Sequence, residues 1–356
     1  MRCSAIKYLL TFGLFFGACH QAESQKNEEN STPEIAQKAP DLAYTAPSKK
    51  INGVNFTAPP RPIDNTWTSS LQAINASWVA LVPYAFSRPN TPQVNYEAER
   101  QYWGESLEGV KSNIEQAHQS GLKVMLKPQV WTRGWIGDFD LESEADWKIW
   151  EADYEKYLMQ FAALGAKEKV EMICIGTELR IAVKKRPFFW LKLIEDIRKV
   201  YHGKLTYCAN WDDYMDVKFW NQLDYVGISA YFPLSDAQTP RVAQLLKDWK
   251  PIKAQLKKFS EQQNKPILFA EYGYRSMDQA AWRSWEMEYQ DRPVNLSAQA
   301  NAYEALYQTF WKENWFAGGF AWKWYSSFRR MDPLNNHDWT PQNKPTEKVM
   351  KAYFGK

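Results

Sequence analysis

The feature that most constrains this chain's fold is a regular alternation of short apolar runs with longer amphipathic stretches, which begins at residue 51. Each apolar run is continuous and bounded by polar or turn residues, as expected for strands that are buried on both faces. The runs occupy residues 53–56, 78–86, 123–131, 171–178, 205–211, 225–232, 266–273 and 319–325.

The segments between these runs repeat apolar residues at helical spacing. In the clearest of them, residues 105–119, Leu107, Val110 and Ile114 share one face, and Gly121 is a typical stop signal. Similar patterns follow at residues 145–162, 187–201, 241–262 and 297–314, and a shorter, weaker one lies near 216–222.

Strands that alternate with helices in this way predict a single α/β domain over residues 51–356, a (β/α)8 TIM barrel. The length fits, because such barrels usually take about 250 residues and tolerate insertions. An open, doubly wound sheet is the alternative fold, but no glycine-rich loop follows the first strand.

The first nineteen residues have the layout of a signal peptide. Arg2 and Lys7 precede an apolar stretch at residues 8–16, which is too short to span a membrane. Two small residues stand directly before Cys19, an arrangement that resembles a bacterial lipoprotein cleavage site. Cys19 would then be the acylated first residue of the mature protein, and an ordinary cleaved secretion signal is the alternative.

Residues 20–50 are polar, contain proline and lack apolar periodicity, so they are predicted to form a flexible tether. We therefore expect an outer-membrane lipoprotein of the cell envelope that touches the membrane only through its N-terminal lipid. A secreted or periplasmic protein is the alternative location.

Charge and cysteine content argue against several other classes of protein. The 44 basic and 41 acidic residues are interspersed without a basic block, so no nucleic-acid partner is expected. No His, Asp and Glu cluster has metal-ligand spacing, so we expect no metal and no other cofactor, and we expect a monomer. Cys174 and Cys208 lie inside apolar runs and are predicted to be buried free thiols.

Two of the apolar runs end in a glutamate, Glu178 in "ICIGTEL" and Glu271 in "ILFAEYG". A carboxylate on an apolar strand is costly unless it is paired, hydrogen-bonded or neutral. These are the fourth and seventh predicted strands, whose carboxyl ends lie across a barrel mouth from one another, where barrel enzymes have their active sites. The alternative is a structural ion pair for each glutamate, with Arg180 or Arg275 as the partner.

Aromatic residues make up 15% of the chain and include 18 tryptophans, which indicates either an aromatic core or a cleft that stacks sugar rings. Paired carboxylates in an aromatic mouth favour glycoside hydrolysis. One carboxyl group protonates the leaving oxygen, while the other attacks the anomeric carbon or activates water. A non-catalytic glycan-binding lipoprotein is a second hypothesis, and an amidohydrolase-type enzyme would need metal ligands that the strand ends do not supply.

Further site candidates come from the third and fifth predicted strands. Lys127 and Gln129 share one face by the strand period of two and could bind sugar hydroxyls, although Lys127 could equally pair with a barrel acid. Trp131 ends the same run and Trp135 follows it. Asn210, at the end of the fifth strand, is either a ligand or a loop cap.

Several segments in order resemble glycoside hydrolase family 113, part of a clan of retaining (β/α)8 glycosidases, over residues 51–354. They are "VMLKPQVW", "ICIGTEL", "YVGISAYFPL", "ILFAEYGYRS", "GGFAWKWY" and "DWTPQNKPTEKVM". Characterised members are β-mannanases, so the resemblance implies hydrolysis of β-1,4-mannan or manno-oligosaccharides. A β-glucanase or xylanase activity on the same barrel is the alternative.

The resemblance also implies roles for individual residues. Glu178 would be the general acid/base and Glu271 the nucleophile. Tyr231 would hydrogen-bond the nucleophile, and Trp322 or Trp324 would be the sugar platform. Side chains alternate along a strand, so only one of these two tryptophans faces the barrel mouth, and Trp322 is favoured.

Overall fold

The apolar runs form parallel strands that close into a barrel in this computed structural model. In chain order the strands are β1 (Ile51–Thr57), β2 (Trp78–Val82), β3 (Tyr84–Phe86), β4 (Lys123–Leu126), β5 (Gln129–Trp131), β6 (Met172–Thr177), β7 (Lys204–Asn210), β8 (Val226–Ser229), β9 (Ile267–Tyr272) and β10 (Phe316–Trp324). The barrel order is β1-β10-β9-β8-β7-β6-β4-β2, with β3 and β5 in a separate two-stranded sheet. The predicted (β/α)8 barrel is confirmed.

The structure describes residues 49–96, 101–286, 292–327, 332 and 334–356, all within the compact unit Ala39–Lys356. The predicted signal peptide with Cys19, and the tether up to residue 48, lie outside the described residues. Within the described ranges, none of the helices combines the length and the hydropathy that a bilayer crossing needs.

Helices follow the strands and pack around the barrel. They are α1 (Thr66–Ala73), α2 (Leu107–Gln119), α3 (Glu144–Lys167), α4 (Arg180–Lys185), α5 (Pro187–Val200), α6 (Val242–Gln263), α7 (Leu296–Phe310) and α8 (Pro345–Phe354). Local chemistry fixes several of their starts: the side chains of Ser106, Ser143 and Asn295 accept hydrogen bonds from the first turns of α2, α3 and α7. The weak pattern near 216–222 forms only short 3-10 turns.

Two of the predicted strands are each broken in two, because a proline has no N–H to donate to a neighbouring strand. Pro83 separates β2 from β3, and Pro128 lies between β4 and β5. The main chain still bridges the breaks, since Gln129 N donates to Pro83 O at 2.9 Å. The sheet of β3 and β5 therefore extends beyond the carboxyl ends of β2 and β4, on the side where the barrel mouth opens.

The core has two parts that follow from the alternation of side chains along the strands. A small cluster is confined to one face of the barrel strands and contains Ala80, Met125, Cys174 and Phe320 among others. A much larger, aromatic cluster lies between the barrel and the helices. Its fully buried tryptophans are Trp150, Trp190, Trp220, Trp249 and Trp324. Much of the aromatic content thus builds the outer core, and the two cysteines are buried free thiols as predicted.

Candidate active site

Glu271 lies near the carboxyl end of β9 and is 6% exposed, yet both of its carboxylate oxygens are hydrogen-bonded. Oε1 accepts from Lys127 Nζ and from Gln129 Nε2, the latter at 2.8 Å. Oε2 accepts from the Tyr231 hydroxyl at 2.9 Å. Three donors, two from the segment that contains β4 and β5 and one from the residues after β8, therefore converge on one carboxylate.

Lys127 is fully buried and forms an ion pair with Glu271. Burial is the largest single influence and lowers the pKa of Lys127, but the charge of Glu271, the two buried cysteines and the hydrogen bond to Glu271 together outweigh it, so that pKa is raised. The ammonium also lies 5.5 Å from the centroid of the Trp322 ring. Of the two interpretations open for Lys127, the structure has the pairing with a barrel acid, and that acid is the candidate nucleophile.

The arginines that the ion-pair alternative named are engaged elsewhere. Arg275 Nε donates to the carbonyl oxygen of His337 at 2.9 Å. Arg180 binds the carboxylate of Asp212 at 2.7 Å. The partners found for Arg180 and Arg275 are therefore other groups, not Glu178.

Glu178 follows β6 directly, with a backbone φ of 53°. Its N–H donates to Cys208 O at 2.8 Å, which ties this turn to β7. The side chain is partly buried, and its Oε2 accepts a hydrogen bond of 2.6 Å from Trp135 Nε1. Burial and the negative charge of Glu271 raise the pKa of Glu178 to about 7. The two glutamates thus lie close enough to interact, and a pKa of about 7 allows Glu178 to hold a proton near neutral pH.

Tyr231 follows β8 and connects the nucleophile site to the C-terminal loop. Its ring meets Trp339 edge-on at 5.3 Å, and burial and the charge of Glu271 raise the pKa of its phenol well above the usual value. Tyr231 therefore remains a neutral O–H donor to Glu271. Trp339 could not be selected from the sequence, because a single tryptophan after the last strand carries no positional signal.

Tyr84 is another neighbour of the site that sequence analysis missed. It lies on β3 in register with Gln129 of β5, and burial followed by the charge of Glu271 raises its phenol pKa strongly. The only signal available was its position just after Pro83 in an apolar run. The position of Tyr84 points to the site only once Pro83 is known to end β2.

The two tryptophans near the end of β10 have opposite surroundings. Trp324 is 1% exposed, and its Nε1 donates to Ser70 Oγ of α1 at 2.9 Å, so it faces the helices. Trp322 is partly exposed and lies beside Lys127, on the side of the two glutamates. The peptide bond between Trp322 and Lys323 is cis.

Trp131 and Asn210, also selected from the sequence, make other contacts. Trp131 is 57% exposed, and its ring packs 5.2 Å from Phe86 on the two-stranded sheet. Asn210 Nδ2 donates to Asp212 Oδ1 at 2.8 Å, which is the loop-capping role. The structure does not bring Asn210 into hydrogen-bond contact with either glutamate. Across the described part of the chain, no group of three or more His, Cys, Asp and Glu residues is arranged to hold a metal ion.

Comparison with known proteins identifies the family and the fold of this chain. The sequence model of glycoside hydrolase family 113 matches residues 65–344. The solved structure of a β-mannanase of that family from Alicyclobacillus acidocaldarius, in complex with ManMIm, is 26% identical with a TM-score of 0.75, and the match covers 86% of this chain and 97% of that one.

Two further structures widen the comparison. A β-1,4-mannanase of the same family is 25% identical with a TM-score of 0.73, over 86% of this chain and 99% of that one. The β-glucuronidase of Ruminococcus gnavus, 11% identical with a TM-score of 0.59 over 86% of this chain and 50% of that one, shares the fold alone. No curated protein sequence matches this chain.

Proposed function

This chain belongs to glycoside hydrolase family 113, and on that premise we propose that it is a retaining hydrolase of β-1,4-mannan or manno-oligosaccharides. The observation that carries the mechanism is the contrast between two neighbouring carboxyl groups. Glu271 is held by three hydrogen-bond donors, whereas Glu178 has a pKa raised to about 7. Two carboxyl groups with divergent environments are what double displacement requires.

In the first step Glu271 attacks the anomeric carbon. One of its oxygens bonds to C1, the glycosidic C1–O bond breaks, and the proton on Glu178 passes to the leaving oxygen. Lys127, Gln129 and Tyr231 hold the attacking carboxylate in one orientation, so little reorganisation is needed when the sugar arrives.

In the second step water cleaves the glycosyl ester. Because esterified Glu271 carries no charge, one of the two causes of the raised pKa of Glu178 is removed. Glu178 then ionises more readily and takes a proton from the attacking water, while the Glu271 carboxylate leaves C1. One residue can therefore act as acid and then as base.

Mannan as the substrate is supported by the relatives: both family members compared above are described as β-mannanases, and each is matched over nearly its whole length. Trp322 and Trp131 offer partly exposed rings on which sugars could stack. Lys127, Gln129 and Tyr231 would meet the sugar next to the nucleophile they hold. Asn210 is the weakest candidate, since Asp212 occupies its amide.

The test is hydrolysis of β-1,4-mannan, cellulose and xylan, with product sizing and NMR of the first-formed anomer. We expect cleavage of mannan with the β-anomer formed first. An α-anomer as the first product would overturn double displacement. Cleavage of xylan or cellulose in preference to mannan would overturn the substrate and favour the alternative activity.

For location, we propose that a lipid on Cys19 holds the enzyme at the cell envelope, with residues 20–50 as the tether. The signal-peptide layout and the small residues before Cys19 support this. We expect the full-length protein in the membrane fraction and the Cys19→Ala protein outside it. A wild-type protein found wholly in soluble fractions would favour the secreted alternative.

A further inference from the structure

We propose that Arg180 is a positioning residue whose guanidinium fixes the indole of Trp135, which in turn holds the carboxyl group of Glu178. The inference rests on the proposed acid/base role of Glu178. It concerns the residues that surround the Glu178 carboxyl group, namely Trp135 and the arginine that packs on its ring.

The guanidinium of Arg180 is hydrogen-bonded to two carboxylates and also lies against the ring of Trp135. Its central carbon lies 4.3 Å from the centroid of the Trp135 ring, within the range of a favourable cation–π contact. Nη2 donates to both carboxylate oxygens of Asp212, at 2.7 and 2.9 Å, and Nε donates to Asp213 at 3.0 Å. A planar fork with two carboxylates behind it cannot turn away from the indole without breaking these bonds.

Helix α4, which begins just after Glu178, also contacts the loop that contains Trp135. Trp135 lies in the connection between β5 and α3, next to a single 3-10 turn. Helix α4 begins two residues after Glu178 and contacts this connection at two points. Arg180 packs on the ring of Trp135, and Lys185 forms an ion pair with Asp140 at 2.6 Å. Glu178 and the donor to its carboxyl group therefore keep a fixed relation to each other.

Trp135 matters because its N–H opposes burial and the charge of Glu271, the two causes that raise the pKa of Glu178. From β9 the charge of Glu271 raises the pKa of Glu178, in addition to burial, while Lys127 beyond β4 and the Ser229 hydroxyl of β8 lower it. Tyr231 faces the same carboxyl group as a neutral phenol. The Trp135 hydrogen bond favours the ionised form. Without it, Glu178 would still be protonated for the first step, but less of it would be ionised at neutral pH to act as the base in the second step.

The first experiment is the pH dependence of kcat/KM for manno-oligosaccharide hydrolysis. Trp135→Phe removes the donor and keeps a ring, so we expect the alkaline limb to move up by about one pH unit. Arg180→Gln should move it in the same direction by less, because the indole is loosened rather than lost. The double variant should move it no further than Trp135→Phe alone.

These variants separate action through Trp135 from a direct effect of charge. If the two single shifts add fully in the double variant, the guanidinium acts on Glu178 directly and the proposal is wrong. Arg180→Lys keeps the charge without the planar fork, so it should behave like Arg180→Gln. A wild-type profile in either Arg180 variant would overturn the proposal.

Lys184→Gln is the matched control, because Lys184 lies on the same helix in an exposed ion pair with Asp216 at 3.0 Å. It should leave the profile unchanged. If Arg180→Gln fails to fold, Asp212→Asn loosens the same anchor at a partly exposed position and takes its place, with a smaller upward shift expected and an unmoved limb counting against the proposal.

A second readout uses an aryl β-mannoside with a good leaving group, whose release needs no proton. Arg180→Gln should keep the rate of the initial burst of aryl release and lower steady-state turnover at neutral pH by less than about tenfold, since the second step needs Glu178 in its ionised form. Equal loss of both would mean general damage to the site and would overturn the proposal. A wild-type protein that cleaves no mannan would defeat the proposed function instead, whereas an active wild type with unmoved variants defeats only this inference.

Discussion

Glu271 and Glu178 end strands of the same barrel, but the atoms around them come from different kinds of structure. The donors to Glu271 lie on strand β5 or just after the barrel strands β4 and β8, and one of these donors is a buried ammonium. The donor to Glu178 comes from an irregular connection, and it is held by a short helix and a loop. The nucleophile site is thus rigid and charge-balanced, while the acid/base site leaves its carboxyl group free to change protonation state.

The largest expected effect comes from the rigid side. Glu271→Gln removes the nucleophile and should lower kcat/KM on the order of 10^5-fold, as for other essential nucleophiles. Steady-state kinetics on manno-oligosaccharides measures this. A variant that retains more than a tenth of wild-type activity would remove Glu271 from the mechanism.

The next effect comes from the acid/base side and depends on the substrate. Glu178→Ala should lower kcat/KM about 10^2- to 10^4-fold on manno-oligosaccharides, which need protonation of the leaving oxygen. On an aryl mannoside with a good leaving group the first step should be nearly unaffected, and added azide should restore turnover by forming the β-mannosyl azide. Equal loss on both substrates would contradict the assignment.

The buried ion pair of Lys127 and Glu271 predicts that removing a partner of Glu271 destabilises the protein more than removing a partner of Glu178. Lys127→Met leaves the buried Glu271 carboxylate without its ammonium, and it should reduce the free energy of unfolding by about 3 kcal/mol. Trp135→Phe, next to the partly exposed Glu178, should reduce it by about 1 kcal/mol. Urea denaturation compares the two, with Lys184→Gln as the control. Similar losses in the Lys127 and Trp135 variants would remove the contrast between the two sites.

The acid/base side should also make the stability of the protein depend on pH. Because the folded-state pKa of Glu178 is raised to about 7 from 4.5, the folded protein holds its proton where the unfolded chain has lost it. The contribution of Glu178 protonation to the free energy of unfolding is therefore fully present below pH 4.5 and is lost as the pH rises through 7. Glu178→Gln should abolish the decline, so at pH 8 it should be more stable than wild type by about 2 kcal/mol, with no gain near pH 4. An equal difference at both pH values would show that Glu178 is not the titrating group.

Sequence reasoning succeeded wherever a periodic pattern directly dictates structure. All eight barrel strands and the long helices lie where the alternation of apolar and amphipathic segments predicts them. It failed at Pro83 and Pro128, where one apolar run was interpreted as one strand although proline breaks the hydrogen-bond ladder. Asn210 shows a different limit, since its amide could be a ligand or a cap until the position of Asp212 was known.

The sequence by itself determined that two carboxylates end apolar strands three βα units apart, and that strand periodicity turns only one of two neighbouring tryptophans towards the mouth. It left undecided which groups pair with each carboxylate, because those partners come from residues far away in the chain. Lys127 meets Glu271 across 144 positions and Trp135 meets Glu178 across 43. A pKa depends on burial and on charges within a few ångströms, so only the closed barrel and its loops decided that the pKa of Glu178 is raised to about 7.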